Sequence, residues 1–411
     1  MPKLEELLKY VSEHNEFYKN IIKEYGITDP TDIKQYPVLT RHQLQENRYD
    51  LFSDGFASKY FYQQLRRQTS SGSSGVAVNV YWDYKDWYAS NMSLWRKRLQ
   101  WYGIHPNDKF VMFTLNAFNV KSDGKTIYYI QDAKNILCVN ASLIQNDIGY
   151  EKIIDIIEEF APKWLYIQPF ILNRLIYIYK QVGKHPPQTL KYIESVGEIL
   201  SSDLRRRAID FFKVPVANMY GSEEMNSIAY ECPYHHMHVL EDNVFVEVQN
   251  KNGIYGSGEG KAIITNLHNN ALPLIRYNQG DIVILKKLNE QCIYGNNAPV
   301  ISVIKGRKLD AIKLNDQLEL SPFLLSEIIS EVNNIYKDSI RSYKYIYYKS
   351  KHKLICIIDV KDKLWYTNIK NSIIEIFKCK IHDSNNIMLE IIAKENIHLY
   401  NKKLKLIEIR E

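Results

Sequence analysis

The sequence predicts an α/β protein: a large layered domain with a β-rich part, followed by a small α+β domain. Three textures along the chain predict it. From 108 to 200, short β-rich runs (KFVMFTL, ILCVNA, WLYIQ, LKYIESVG) alternate with helical stretches at 149–160 and 170–182. Such alternation suits a sheet with helices packed on its faces. From 214 to 305 the chain becomes hairpin-rich β, with VFVEVQ, GKAIITNL, DIVILKKL, CIYG and VISVIKG separated by Gly/Asn turns. After Lys308, strands (YKYIYYK, KLICIIDV, IMLEIIA) alternate with helices at 322–335 and 364–378. The strand that ends at Gly306, followed by a charged stretch, divides the chain into domains 1–307 and 308–411.

The amino-terminal elements follow in order. Residues 4–26 have helical spacing, and YPVLTRHQLQENRYDLF (36–52) reads as an extended entry into a helix capped by Thr40. A polar Ser/Gly cluster within 61–75 precedes a strand from Val76 to Trp82. Asp83 then caps a helix running to Tyr102.

Composition narrows the function. The chain has 411 residues, 45% hydrophobic and 24% charged, enough to bury a core without disulfide or metal staples. Its net charge of +6 is spread thinly, with no concentrated basic face of the kind that binds nucleic acid. Cys138, Cys232, Cys292, Cys356 and Cys379 are scattered and odd in number, the usage of a reducing compartment. The first residues form a charged amphipathic stretch with no apolar signal core. The most apolar run, Leu165 to Tyr179, is too short and too polar to span a bilayer. The expected location is cytoplasmic.

Three segments carry chemistry. Ser70-Ser71-Gly72-Ser73-Ser74-Gly75 offers consecutive backbone N–H groups and four hydroxyls, a cradle for a polyphosphate. It lacks the lysine of a P-loop, and a flexible linker is the plainer alternative. In VPVANMYGSEE (214–224) an apolar strand delivers an aromatic, a glycine and two carboxylates to its end, where α/β sheets collect ligands. There Tyr220 can stack on a base and Glu224 can hold Mg²⁺. An exposed acidic turn explains that segment equally well. In PLIRYNQGD (273–281), Asp281 after a turn glycine can accept both hydroxyls of a ribose, although a plain hairpin turn has the same form.

The order of these pieces (Ser/Gly loop, Gly197-Glu198, Tyr-Gly-x-x-Glu, Arg-Tyr-x-x-Gly-Asp, Gly306-Arg307, a small last domain) resembles the adenylate-forming enzyme superfamily. Within it, the chain is most similar to the phenylacetate–coenzyme A ligase family and its capsule-biosynthesis relatives. The likeness runs from YPVLTRHQLQEN through SVGEILSSDLRRR, YGSEEM, IAYEC and LHNNALPLIRYNQGD to IKGRKLD. It implies ATP and Mg²⁺ as cofactors, with Ser70, Ser71, Gly72, Ser73, Ser74 and Gly75 at the β- and γ-phosphates. Gly197, Glu198, Tyr220 and Gly221 would wall the adenine, Glu224 would ligate Mg²⁺, and Asp281 with Arg307 would hold the ribose. Lys308 to Asp310 would be the hinge of a mobile last domain that carries the catalytic Lys403.

The implied reaction activates a carboxylic acid through an acyl-adenylate. Thioester formation on coenzyme A or a carrier-protein pantetheine follows, with an aryl acid favoured. A non-catalytic ATP-binding relative, or acyl transfer to an amine or polysaccharide precursor, stays open, as does a homodimer. Glu223 stands where the family has a hydroxyl, and Lys402 where it has a glycine before the terminal lysine; both departures bear on activity. Ala77 replaces a common proline.

Finally, Cys232, His235, His238 and Cys292 have soft ligands at zinc spacing. Relatives carry Cys-x-Cys-Gly where this chain has Cys292-Ile293-Tyr294-Gly295. A structural zinc and a His-rich surface loop beside buried thiols are equal readings of that segment.

Overall fold

The computed structural model describes residues 2–47, 49–69, 78–114, 128–130, 135–141, 150–288, 291–295, 297–307, 311–314, 319–336, 339–381, 387–394 and 407–411. Contacts gather the chain into two compact units, each built from two stretches: Met1–His105 with Met219–Ile304, and Pro106–Asn218 with Lys305–Glu411. The architecture is mixed α/β, as expected. The change of unit at Lys305 lies close to the boundary expected after Arg307, but contacts group the last segment with 106–218.

In the first unit, the amino-terminal helical stretch is two helices, Pro2–His14 and Glu16–Glu24. Asn15 separates them. Its side chain accepts the Tyr18 N–H as a cap and donates to the carbonyl of Leu51, so a buried polar residue fixes the bend. Thr40 caps Arg41–Glu46 through a full capping box with Gln43. Asp83 caps Tyr84–Tyr102 by accepting from the Lys85 N–H, and Gly103 ends that helix at φ 64°. The short helix Phe56–Phe61, which the sequence reading lacks, intervenes.

The sheet of this unit orders its strands Gly253–Tyr255, Val244–Asn250, Gly258–Asn266, Tyr277–Lys286, Val300–Arg307, Met237–Val239, Asn226–Glu231 and Val216–Ser222. The two-residue strand Leu39–Thr40 lies parallel against Tyr277 and Asn278. Along Tyr277–Lys286, burial alternates residue by residue. Tyr277, Gln279, Asp281, Val283 and Leu285 therefore share the inner face. Leu8, Tyr36, Val80, Ile264 and Leu274 are among the apolar residues beneath it.

In the second unit, a mostly parallel sheet runs Tyr128–Ile130, Ile136–Asn140, Phe110–Thr114, Trp164–Ile167, Tyr192–Val196. Helices Tyr150–Phe160, Pro169–Val182 and Ser202–Phe212 cover Val111, Leu137, Leu165, Ile167 and Ile193 on one face. The last segment has its own four-stranded sheet, ordered Met388–Ala393, Lys353–Val360, Ile340–Tyr348, Ile407–Arg410. Its helices Pro322–Ile335 and Tyr366–Lys380 close a separate core around Leu325, Ile358 and Phe377. Among the described residues, no helix is long and apolar enough to cross a membrane.

Candidate functional site

The inner face of Tyr277–Lys286 presents two polar side chains, Gln279 at 3% and Asp281 at 9% exposure, where a core strand would carry apolar ones. Buried polar groups need partners, and the hairpin of Val216–Ser222 and Asn226–Glu231 supplies one. The hydroxyl of Tyr220 donates to Asp281 Oδ2 at 2.6 Å. Gln279 Nε2 donates to the Tyr220 oxygen at 2.6 Å and to Asp281 Oδ2 at 2.9 Å. Two side chains, one from each of two strands, thus brace one carboxylate.

Gly221, next along the hairpin, is required by space. A Cβ there would lie 2.2 Å from the Asn226 carbonyl oxygen across the hairpin. The turn that follows carries Glu223 and Glu224 in opposite settings. Glu224 is 1% exposed, with Tyr277 Oη 3.4 Å and Arg41 Nη1 3.8 Å from its Oε1. Glu223 is exposed and accepts from Gln68 Nε2 at 3.1 Å. Gln68 belongs to Arg66–Thr69, which pairs with Asn79–Trp82. These two paired strands form a stem that flanks the Ser/Gly segment in sequence. The same Gln68 amide reaches Asn226 Oδ1 at 3.3 Å, so the stem touches the turn that bears Glu224.

The structure therefore brings Tyr220, Gly221, Glu224 and Asp281 together in the first unit. Ser70, Ser71, Gly72, Ser73, Ser74, Gly75, the hinge residues 308–310 and Lys403 lie outside the described residues. Gly197 and Glu198 belong to the second unit. Gly197 turns the chain at φ 79° after the strand Tyr192–Val196, and Glu198 Oε2 accepts the Phe170 N–H at 3.4 Å. Arg307 ends the strand Val300–Arg307. Sequence reasoning passed over Gln279, Gln68 and Arg41. Period-two alternation with Asp281 was the available sign for Gln279, whereas the other two reach the site through tertiary contacts.

A second cluster forms around Cys232. Side-chain ligand atoms of Cys232, His236, His238 and Cys292 all lie within 4.8 Å of one another. The two sulfurs are 3.9 Å apart, too far for a disulfide. This corrects one expected ligand. His235 sits at φ 61° in the turn closed by its N–H on the Cys232 carbonyl, and its ring turns to Glu231 at 3.6 Å. The next residue, His236, faces inward instead. Burial pushes the Cys232 thiol up to about 11 and, with the charges of His236 and Lys97, pulls His238 down to about 4.

Neither ring nitrogen of His238, nor Nδ1 of His236, meets a partner at hydrogen-bond geometry among the described residues, although the Ala298 backbone acts on His238. Gly295 makes room for the His238 ring, since a Cβ would stand 2.1 Å from it. Gly295→Ala is expected to cost ~2 kcal/mol or more by overpacking, read as a lower denaturant midpoint at unchanged slope.

No family model matches the chain. In sequence it is similar to a phenylacetate–coenzyme A ligase of Thermus thermophilus, 23% identical over 324 residues, covering 75% of this chain and 70% of that one. It is also similar to Protein CapK of Staphylococcus aureus, 22% identical over 371 residues, covering 81% and 72%. In fold it matches 2-hydroxyisobutyryl-CoA ligase solved in the postadenylation state with 2-HIB-AMP, with a TM-score of 0.75 at 15% identity over 100% of this chain and 88% of that one. These likenesses bear out the resemblance to the adenylate-forming superfamily that the motifs carry, the solved structure for its fold. The first of these relatives is by its name an acid–thiol ligase, the class expected of this chain from its motifs.

Proposed function

We propose that this chain joins a small carboxylic acid to the thiol of coenzyme A in two steps through an acyl-adenylate. The supporting observation is the Tyr220–Gln279–Asp281 brace next in the fold to buried Glu224 and the stem of the Ser/Gly segment. Asp281, held through Oδ2, would accept the ribose hydroxyls, and Arg307 would assist it. Tyr220 and Gly221, with Gly197 and Glu198, would flank the adenine. Backbone and hydroxyl donors of Ser70–Gly75 would hold the β- and γ-phosphates. Glu224 suits Mg²⁺, a hard cation that takes carboxylate and phosphate oxygens and neutralises phosphate charge when bound.

In the first step an acid oxygen attacks the α-phosphorus and the bond to the β-phosphate oxygen breaks, releasing pyrophosphate. In the second, the thiol sulfur attacks the acyl carbonyl carbon and AMP leaves. Lys403 would steady the negative charge that builds on the α-phosphate. The segment 308–411, with its own sheet and core, would turn at residues 308–310 between the steps.

An aryl acid is the favoured substrate by likeness to the phenylacetate-type relatives. The test is pyrophosphate release across a panel of aryl, aliphatic and amino acids, with mass spectrometry of the product formed with coenzyme A, with a carrier protein and with neither. Binding of Mg·ATP without release for any acid would favour a non-catalytic relative. Lys403→Ala should lower the first step by about 10²–10³-fold, the scale of one lost transition-state donor, and slow the thiol step far less. Unchanged adenylation in that variant would exclude the assignment.

We also propose that Cys232, His236, His238 and Cys292 hold a structural Zn²⁺. The fit rests on two sulfurs and two ring nitrogens in mutual reach and on His236 and His238 nitrogens that meet no partner at hydrogen-bond geometry among the described residues.

A further inference from the structure

Gln279 has a free end in the brace. Its carboxamide cannot be reversed, because an ionised carboxylate only accepts, so the atom 2.9 Å from Asp281 Oδ2 is the nitrogen. That nitrogen has two hydrogens, one for Asp281 and one for the Tyr220 oxygen. The Tyr220 hydroxyl sends its own hydrogen to Asp281 as well. The side-chain donors of Gln279 and Tyr220 are therefore spent inside the network, and acceptors are what it has left. Gln279 is 3% exposed, and its Oε1 meets no partner at hydrogen-bond geometry among the described residues. A buried acceptor without a donor is costly, and a hydroxyl brought by a ligand relieves that cost.

The place of this oxygen sets which ligand group can reach it. Oxygen and nitrogen of one amide share a carbon, so Oε1 lies within roughly 5 Å of Asp281 Oδ2. A vicinal diol spans such a gap, giving one hydroxyl to each acceptor at hydrogen bonds of about 2.7–2.8 Å. From this geometry we infer that Gln279 is a ribose-binding residue: its Oε1 accepts one hydroxyl of the nucleotide and Asp281 accepts the other. The inference rests on the proposed role of Asp281 at the ribose, and it divides between two side chains a diol otherwise left to one. Two acceptors beside exhausted donors make a strict filter. A sugar that lacks either hydroxyl leaves one buried acceptor unmatched, which is the penalty that discriminates best between close analogues.

Calorimetric titration of the Mg²⁺ complexes of ATP, 2′-deoxy-ATP and 3′-deoxy-ATP into the wild-type chain, Gln279→Met and Asp281→Asn tests this. The wild-type chain should bind each deoxynucleotide about tenfold or more weakly than ATP. Gln279→Met should weaken ATP about tenfold and bind it within about twofold of one deoxynucleotide, while its preference over the other persists. A Gln279 that only holds Asp281 in place would narrow both preferences together or weaken all three nucleotides by one factor. Either result overturns the inference, as does an unchanged pattern in the Met variant. If Asp281→Asn narrows a preference and Gln279→Met narrows none, Gln279 is excluded and the ribose reading of Asp281 survives. If the wild-type chain binds ATP with no preference over either deoxynucleotide, that reading falls together with the inference. If it binds no nucleotide, the site reading falls too. Melting curves of each variant show whether it is folded.

Discussion

Replacing Asp281 with Asn will lower kcat/KM for pyrophosphate release by about 10²–10³-fold. Two charge-assisted hydrogen bonds to a ribose, at roughly 1.5–2 kcal/mol each, amount to that range. The change keeps the size of the side chain and leaves two of its neighbours in place, so the fold should persist. What it removes is the charge toward which both Tyr220 Oη and Gln279 Nε2 point, at 2.6 Å and 2.9 Å. Tyr220→Phe removes only the first of these donors and should cost about tenfold. Because the two residues act on one oxygen, the double variant should be less impaired than the product of the single effects. Additive losses would show that Tyr220 serves the adenine alone. An Asp281→Asn enzyme with normal KM for ATP would remove Asp281 from the nucleotide site altogether.

Much of that site was legible because it is built from local rules. Alternation along Tyr277–Lys286 puts Asp281 on the buried face. The hydroxyl of Thr40 and the carboxylate of Asp83 each start a helix where a cap residue precedes a periodic run. Other features depend on closure of the chain in three dimensions. Gln68 and Glu223 meet across 155 positions of sequence, and Arg41 reaches Glu224 from a separate element. No periodicity within either segment announces such a pair. The amino-terminal helix breaks at Asn15 because its amide finds Leu51 and Ser53, a tertiary reason that spacing alone does not hold. Likewise, each compact unit draws on two distant stretches, whereas a reading along the chain assigns domains to contiguous ones.

The choice between His235 and His236 is a sharper case, and it yields the second large effect. Spacing admits either residue, and backbone geometry at His235 turns its ring outward. Purified chain should therefore carry about one equivalent of zinc per molecule, the stoichiometry of a four-ligand site. His236→Ala, His238→Ala and Cys292→Ser should each reduce it strongly, while His235→Ala should retain it. Stability should follow the metal. Stripping it with a chelator leaves the buried His238 imidazole with both nitrogens unmatched at hydrogen-bond geometry among the described residues, at a cost of about 1–3 kcal/mol for each orphaned group. A midpoint lowered by a few °C is then expected, restored when zinc is returned. Nucleotide affinity should change less than stability, because none of these four residues belongs to the brace around Asp281. Metal-free protein with an unaltered melting midpoint would remove zinc from the account. Loss of zinc on His235→Ala but not on His236→Ala would reverse the ligand assignment.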